Sequence, residues 1–137
     1  MRKIDKIILH CADTYARMDI GVKEIREWHQ ARGFADIGYH FVIRRNGEIE
    51  TGRPLEKFGA HAQGYNATSI GICYAGGKAD DGSPEDNRTP AQKASLLALV
   101  TRLLLQFPNA QVLGHRDLPG VQKACPCFSV SLEFKKH

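Results

Sequence analysis

The residues whose types and spacing could do chemistry lie near the C-terminal end of the sequence. Residues 114–127 contain a histidine, a lysine and a cysteine, His115, Lys123 and Cys125, on a segment without helix or strand periodicity. Irregular segments held by a rigid scaffold commonly carry functional groups. Imidazole and thiolate are both zinc ligands, but a tetrahedral zinc site needs more protein ligands than these two. We therefore expect a further ligand elsewhere in the chain.

His10 is the strongest candidate for that ligand. Residues 6–11 form an apolar run typical of a buried central strand, and His10 lies at the exit of this strand. His115 follows the short apolar run at 111–113 in the same way, so the two histidines would converge at one end of a sheet. A lone histidine is more often a satisfied structural residue, but two imidazoles and one thiolate together favour a metal site.

Such a site would be of the catalytic kind. Three protein ligands leave the fourth position of a tetrahedral zinc to water, and the metal lowers the pKa of this water from ~15.7 towards ~7. A closed structural site would need Cys127 or His61 as a fourth ligand. Lys123 could stabilise negative charge on a scissile carbonyl oxygen, and Tyr39 could exchange a hydrogen bond with the attacking water. A surface lysine and a packing tyrosine are the plainer interpretations of these two residues.

The N-terminal half of the chain predicts a helix after the first strand. Residues 21–32 have an amphipathic pattern, with Val22, Ile25 and Trp28 on one face. We expect Trp28 to anchor this helix in the core and the neighbouring His29 to be solvated.

A hairpin follows this helix. Residues 38–43 predict a strand, the Asn-Gly pair at 46–47 is a hairpin signal, and residues 49–52 predict the returning strand. Strict alternation would place the side chain of Tyr39 on the face opposite to His40. Because Tyr39 stands at the start of the strand, its phenol could still project into a cleft.

The middle of the chain predicts a functional loop, a strand and a surface loop. Residues 59–66 place small residues around His61 and Asn66, which lets backbone approach a ligand closely. Residues 69–75 predict a buried strand. Residues 76–88 are rich in Gly, Asp, Asn and Pro and predict an exposed loop that adds nothing to the core.

The last long element is a helix with a clear beginning. Thr89 fits the N-cap, Pro90 the first helical position and Gln92 the capping box, and the helix should run to about Phe107. Residues 128–136 predict either one short helix or a tail.

Composition and element order bound the fold. The 137 residues are 42% hydrophobic and 25% charged, as in an ordinary folded domain that needs no disulfides. The order β-α-β-β-β-α-β predicts an α/β fold: a single domain over residues 1–137 with a central mixed sheet of about five strands, packed by two to three helices. No apolar run approaches the ~20 residues of a membrane span, and the N-terminus lacks the features of a signal peptide. We expect synthesis in the cytoplasm and no membrane partner.

Charge and cysteine content narrow the partners. The net charge of +4 favours anionic partners, but no basic run is interleaved with aromatic residues, so we expect no nucleic-acid partner. The four cysteines should be reduced thiols in the cytoplasm, either buried or bound to metal. Cys125 and Cys127 lack the two-residue spacing of a redox pair.

Several short motifs resemble those of one enzyme family: Gly38-Tyr39-His40-Phe41, Gly59-Ala60-His61-Ala62, Ser69-Ile70-Gly71-Ile72, Gly114-His115-Arg116-Asp117 and Lys123-Ala124-Cys125-Pro126. Together they resemble the zinc-dependent N-acetylmuramoyl-L-alanine amidases, type 2, which are related to peptidoglycan recognition proteins. The short podophage lysozymes, which are amidases despite their name, are the most similar members.

The resemblance implies a zinc ion with three protein ligands: His10, His115 and Cys125. It further implies that Tyr39 and Lys123 are catalytic partners in cleaving the amide bond between N-acetylmuramic acid and the L-alanine of the stem peptide. His61 and Asn66 would lie along the peptide-binding groove.

The resemblance also implies a biological setting. The expected partners are the stem peptide and muramic acid of peptidoglycan, bound by a monomeric phage or prophage lysin that reaches the wall through a membrane lesion. Podophage lysozymes of this type are associated with inhibition of the phage RNA polymerase, which we leave open as an added function. The main alternative is a recognition module that binds peptidoglycan without cutting it. The resemblance associates loss of the metal cysteine with loss of activity, and Cys125 is present.

Overall fold

The computed structural model describes residues 1–134, which form one α/β domain. The described residues contain seven strands: β1 (Lys6–Cys11), β2 (Thr14–Tyr15), β3 (Phe41–Ile43), β4 (Ile49–Thr51), β5 (Ser69–Tyr74), β6 (Gly77–Lys78) and β7 (Gln111–Gly114). Three α-helices accompany them: α1 (Val22–Ala31), α2 (Pro90–Gln106) and α3 (Val130–Glu133). The element order matches the predicted one, apart from the short strands β2 and β6 and the short C-terminal helix α3.

The central sheet has five strands in the order β4-β3-β5-β1-β7. β1 pairs in parallel with both β5 and β7, β3 pairs in parallel with β5, and only β4 runs antiparallel. The predicted mixed sheet of about five strands is therefore confirmed. Since β1 and β5 are covered on both faces, residues 7–9 of β1 and residues 70–74 of β5 follow one another without a charged or strongly polar residue between them.

The two faces of the sheet have different tasks. On β1, Ile7, Leu9 and Cys11 point into the main core beneath α2, while Ile8 and His10 point to the opposite face. β5 alternates in the same way, with Tyr74 in the main core and Cys73 on the side of α1. One face of the sheet is thus devoted to packing, and the other carries the predicted site.

Helix α2 begins as its sequence predicts. The side chain of Thr89 accepts a hydrogen bond from Gln92 N at 3.0 Å, and Gln92 Oε1 accepts one from Thr89 N at 3.0 Å. This capping box satisfies two amide groups that a helix start leaves without partners. Leu96, Leu99 and Leu103 of this helix are buried against the sheet. Within residues 1–134 no helix combines the length and the apolar character needed to cross a bilayer.

Helix α1 turns a different face to the core from the one predicted. Val22, Ile25 and His29 are buried, whereas Trp28 is 41% exposed. The two expectations for Trp28 and His29 are therefore wrong. His29 Nδ1 accepts a hydrogen bond from Gly38 N at 2.8 Å, so the imidazole ties the helix to the chain that enters β3. Trp28 and His29 both lie next to the apolar stripe of the helix. His29 is the one that is buried, because its ring finds a hydrogen-bond partner in Gly38 N.

The hairpin forms as predicted, but its first strand is shorter. β3 and β4 pair with Ile43 opposite Ile49, and Gly47 takes a φ of +89° in the turn. β3 begins at Phe41 rather than at residue 38. Because Tyr39 precedes the regular strand, the predicted alternation does not apply to it. Its ring lies 5.0 Å from the ring of His10, on the same side of the sheet as the predicted site.

The segment 76–88 contributes more than the exposed loop that was predicted. Its strand β6 pairs with β2 in a second, two-stranded sheet. The buried guanidinium of Arg88 lies 3.4 Å from the ring centroid of Phe128 and forms ion pairs with Asp86 and Glu133. These contacts fasten α3 to the body of the domain. The prediction for residues 128–136 is resolved as a short helix up to Glu133; residues 135–136 lie outside the described part.

Candidate active site

The three predicted metal ligands meet at one end of the central sheet. The ligand atoms of His10, His115 and Cys125 all lie within 4.8 Å of one another. β1 and β7 are parallel neighbours with Leu9 opposite Gly114, so the next residue of each chain brings the two imidazoles together, with ring centroids 4.6 Å apart. Among residues 1–134 no other group of His, Cys, Asp or Glu side chains is clustered in this way.

The loop that carries Cys125 is tied back to the sheet. Cys11 N donates a hydrogen bond to Cys125 Sγ at 3.1 Å, and Arg116 N donates one to the Cys125 carbonyl at 2.8 Å. The buried hydroxyl of Tyr74 donates to the carbonyl of Pro126 at 2.6 Å. These three hydrogen bonds hold the loop against the sheet, and the thiol of Cys125 therefore lies beside the two histidines.

The two histidines are in the form that a metal requires. Burial lowers the pKa of His10 well below its usual value, and the neighbouring His61, His115 and Lys123 lower it further. Burial, followed by the charge of Lys123, also lowers the pKa of His115. Both imidazoles are consequently neutral at neutral pH, with a lone pair available for coordination. Two imidazoles and one thiol suit a transition metal better than the hard cations Ca²⁺ and Mg²⁺.

A second histidine supports His10 from behind. His10 Nε2 lies 2.8 Å from His61 Nδ1, and His61 Nε2 lies 3.1 Å from Ser69 Oγ. Burial, with a smaller contribution from His40, lowers the pKa of His61 to about 3, so this ring is neutral as well. Gly71 makes room for it, since a Cβ there would lie 2.6 Å from the His61 ring. Both ring nitrogens of His61 are thus used inside the protein.

The sequence analysis did not predict this relay, the row of neighbouring side chains that runs from His10 through His61 to Ser69. Small residues around His61 predicted a loop open to a ligand, and the pairing with Ser69 becomes visible only when the loop folds over β5. Asn66, the other residue predicted to bind substrate, uses its Oδ1 to accept hydrogen bonds from the backbone of His61 and Ala62 at 2.9 and 3.0 Å. The geometry therefore assigns Asn66 a part in shaping the loop, and its contact with substrate stays a prediction.

Tyr39 and Lys123 lie at the same site. Burial raises the pKa of the Tyr39 phenol well above its usual value, and the neighbouring Cys73 and Cys125 raise it further. Tyr39 therefore keeps its proton near neutral pH and can act as a hydrogen-bond donor. Lys123 is exposed and lines the cavity in front of His10 and His115, whose pKa values its charge helps to lower.

The site opens into a groove made of two adjoining cavities. The first has a volume of about 570 Å³ and contains the predicted ligands, Tyr39 and Trp28 in its walls. The second has a volume of about 600 Å³ and shares His61, His115 and Lys123 with the first. Volumes of this size are typical of sites that enclose a small molecule or a short peptide.

The family model described as N-acetylmuramoyl-L-alanine amidase matches residues 1–128. The chain belongs to this family. It is 43% identical over 136 residues to an endolysin of Klebsiella phage KP32, a match that covers 99% of this chain and 89% of the relative. The family resemblance seen in the sequence motifs is thereby confirmed. The prediction that the protein is an enzyme, an amidase, is confirmed with it.

Solved structures agree with this family. LysC, an N-acetylmuramoyl-L-alanine amidase from Clostridium intestinale, is 33% identical and superimposes with a TM-score of 0.77, over 91% of this amidase and 77% of LysC. A Drosophila PGRP-LB variant in complex with tracheal cytotoxin is 25% identical, with a TM-score of 0.75, over 92% of this amidase and 76% of that chain. The fold is therefore that of the amidases and peptidoglycan recognition proteins, as predicted.

Proposed function

We propose that this chain is a zinc-dependent amidase built as a single domain over residues 1–137. Its reaction is hydrolysis of the amide bond between N-acetylmuramic acid and the L-alanine of the peptidoglycan stem peptide. The observation that carries the proposal is the convergence of two neutral imidazoles and one thiol within 4.8 Å, in the wall of a cavity of about 570 Å³.

His10, His115 and Cys125 would hold the metal. When bound, zinc supplies Lewis acidity that lowers the pKa of water from ~15.7 towards ~7. The Cys11 amide donates to Cys125 Sγ at 3.1 Å and so holds this sulfur in position beside the two histidines. His10 Nε2 is engaged by His61, which leaves Nδ1 as the nitrogen free to coordinate. In that arrangement His10 Nε2–H donates to His61, and His61 Nε2–H donates to Ser69.

Lys123 and Tyr39 would act on the substrate. The ammonium of Lys123 stands in the cavity wall beside the histidines, where it stabilises negative charge on the oxygen of the scissile amide. Tyr39 holds its proton because its pKa is raised, so it donates a hydrogen bond rather than accepting a proton. Lys123 would thus contribute a positive charge to the reaction, and Tyr39 would contribute a hydrogen-bond donor.

The groove would bind the stem peptide. Its second cavity runs from His61 and Asn66 past Lys123, and the net charge of +4 favours an anionic polymer such as peptidoglycan. The complex of a PGRP-LB variant with tracheal cytotoxin supports a peptidoglycan ligand for this fold. A monomeric state, a contact with the phage RNA polymerase and release through a membrane lesion stay predictions.

The decisive experiment is product analysis on purified peptidoglycan. We expect new N-terminal alanine without new reducing sugar ends, loss of this product in the presence of a chelator, and recovery with zinc. Cys125→Ser should abolish both zinc binding and the product, whereas Cys73→Ala, which removes a buried cysteine outside the ligand cluster, should retain zinc binding. New reducing ends would contradict the proposal, because they would place the cleavage in the glycan. Binding of wall fragments without new N-termini would indicate the recognition module instead.

A further inference from the structure

Two cysteines beside the predicted metal site are left without a part in it. Cys11 ends β1, and Cys127 lies in the loop beyond Cys125; neither belongs to the cluster of three ligands. Their Sγ atoms are 3.7 Å apart. The fold therefore brings together two thiols that are 116 positions apart in the sequence.

The backbone of β6 closes over this thiol pair. A Cβ at Gly77 would lie 2.6 Å from Cys11 Sγ, so only glycine fits at this position. Cys127 Sγ donates to the carbonyl of Gly77 at 3.4 Å. Cys127 itself has a φ of +72°, a conformation that few residues other than glycine adopt. Both sulfurs are therefore packed against the backbone of Gly77.

Cys125 also lies within hydrogen-bond reach of the Cys11 thiol, but it belongs to the predicted metal site. Its Sγ accepts the hydrogen bond from Cys11 N and lies with the imidazoles of His10 and His115. On β1 the side chain of Cys11 points into the main core, opposite to His10. Cys125 is thus assigned to the predicted metal site, and Cys127, two residues further along the chain, is the thiol left to pair with Cys11.

We propose that Cys11 and Cys127 form a disulfide when the protein meets a small-molecule disulfide. Cys127 is partly exposed in the wall of the cavity, whereas Cys11 is only 7% exposed. The Cys127 thiolate attacks the reagent, forms a mixed disulfide and releases one thiolate. Cys11 loses its proton and displaces the second thiolate from the mixed disulfide. The two cysteines give up two electrons and two protons, and the reagent is reduced to two thiols.

The link would join the strand that carries His10 to the loop that carries Cys125. It leaves Cys125 free for the metal, and it keeps the two segments together when the metal is removed. In the presence of a chelator the oxidised protein should therefore unfold at a higher temperature than the reduced protein, by roughly 5–15 °C.

The test counts thiols and maps the link. Because thiol–disulfide exchange proceeds through the thiolate, the folded protein is incubated with oxidised glutathione for hours at about pH 9. We expect the number of thiols titrated after denaturation to fall from four to two. Trypsin should then release peptide 7–17 linked to peptide 124–135, and fragmentation before Pro126 should assign the bond to Cys127.

Variants separate this pair from the other thiols. Cys127→Ser should keep all three of its thiols, while Cys73→Ala, which lacks a fully buried thiol outside the pair, should fall from three to one. A second route covers slow exchange: refolding from denaturant in a glutathione redox buffer, where every thiol is accessible. Four remaining thiols by both routes, a stable glutathione adduct without closure, or a bond that includes Cys125 would each overturn the proposal.

Discussion

The imidazoles of His10 and His61 are joined nitrogen to nitrogen, with His10 Nε2 2.8 Å from His61 Nδ1. Ser69 Oγ, at 3.1 Å from His61 Nε2, completes the row. Such a row orients a metal-binding imidazole and determines which of its nitrogens carries the proton. The strength of metal binding should therefore depend on a residue that itself contacts no metal.

Replacement of His61 tests this dependence. His61→Ala should weaken zinc binding by about 10–100-fold, the usual effect of losing a partner of a metal ligand. His61→Gln should recover part of the affinity, because its amide oxygen can accept from His10. Zinc affinity is measured by competition with a chromophoric chelator. Gln63→Ala, an exposed neighbour in the same loop, serves as the control and should change nothing. Equal zinc affinity in His61→Ala and the unaltered protein would refute the relay.

Removal of Lys123 should slow the reaction without removing the metal. If the ammonium stabilises the developing oxyanion, Lys123→Ala should lower kcat by about 10²–10³-fold. Metal analysis of the purified variant should show the zinc content of the unaltered protein, since the lysine is no ligand. Lys93→Ala on the exposed side of α2 is the matched control for loss of one positive charge. An unchanged kcat in Lys123→Ala would make this residue an ordinary surface lysine.

Trp28 should matter for substrate rather than for folding. Its side chain is 41% exposed and lines the cavity in front of the proposed metal site. We expect Trp28→Ala to raise KM for peptidoglycan fragments while the free energy of unfolding changes little. Ile25→Ala, one turn earlier and 2% exposed, should instead cost about 2–5 kcal/mol of stability. Denaturant titrations and steady-state kinetics on the two variants distinguish these roles; a large stability loss in Trp28→Ala would contradict the exposed position.

Acid should destabilise the fold through His40. Its Nδ1 accepts from Gly71 N at 3.1 Å and its Nε2 lies 2.9 Å from the carbonyl of Lys57, so the buried ring is bonded as the neutral form. Burial lowers its pKa to about 4. Between pH ~6.5 and pH ~4 the unfolded chain binds a proton that the folded protein does not, so the free energy of unfolding falls as the pH falls.

The size of this effect can be measured against a variant that does not titrate. His40 alone should account for about 3 kcal/mol across that pH range. His40→Gln should show a correspondingly flatter pH dependence, even if its stability at pH ~7 is lower than that of the unaltered protein. Denaturant unfolding at several pH values gives both slopes, and parallel slopes would mean that other groups cause the acid sensitivity.

The local elements were predictable because their signals are local. A continuous apolar run produced β1, the Asn-Gly pair produced the hairpin turn, and Thr89 with Gln92 produced the beginning of α2. Each of these outcomes depends on a few neighbouring residues and on burial. The kinds of side chain that could bind a metal were likewise visible, since ligand chemistry depends on residue type and on position at the end of a strand.

Rotation about an element's axis was not predictable in the same way. The apolar stripe of α1 is broad enough to admit either Trp28 or His29, and the hydrogen bond from Gly38 decides for His29. Tyr39 reaches the site because β3 starts two residues after it. Sequence periodicity predicts neither the burial of His29 nor the position of Tyr39. It shows which residues share one face of an element, but not which parts of the protein that face contacts.

The sequence by itself determined the five strands of the central sheet, the two long helices and the family of this protein. The tertiary structure alone decided which distant side chains come into contact. It brought Cys125 against the amide of Cys11 across 114 positions, and it placed His61 behind His10. The physical reason is that parallel pairing of β1 with β7 sets the ends of two strands side by side. The loops beyond those ends must then find partners for their buried polar groups, and these partners come from remote parts of the chain.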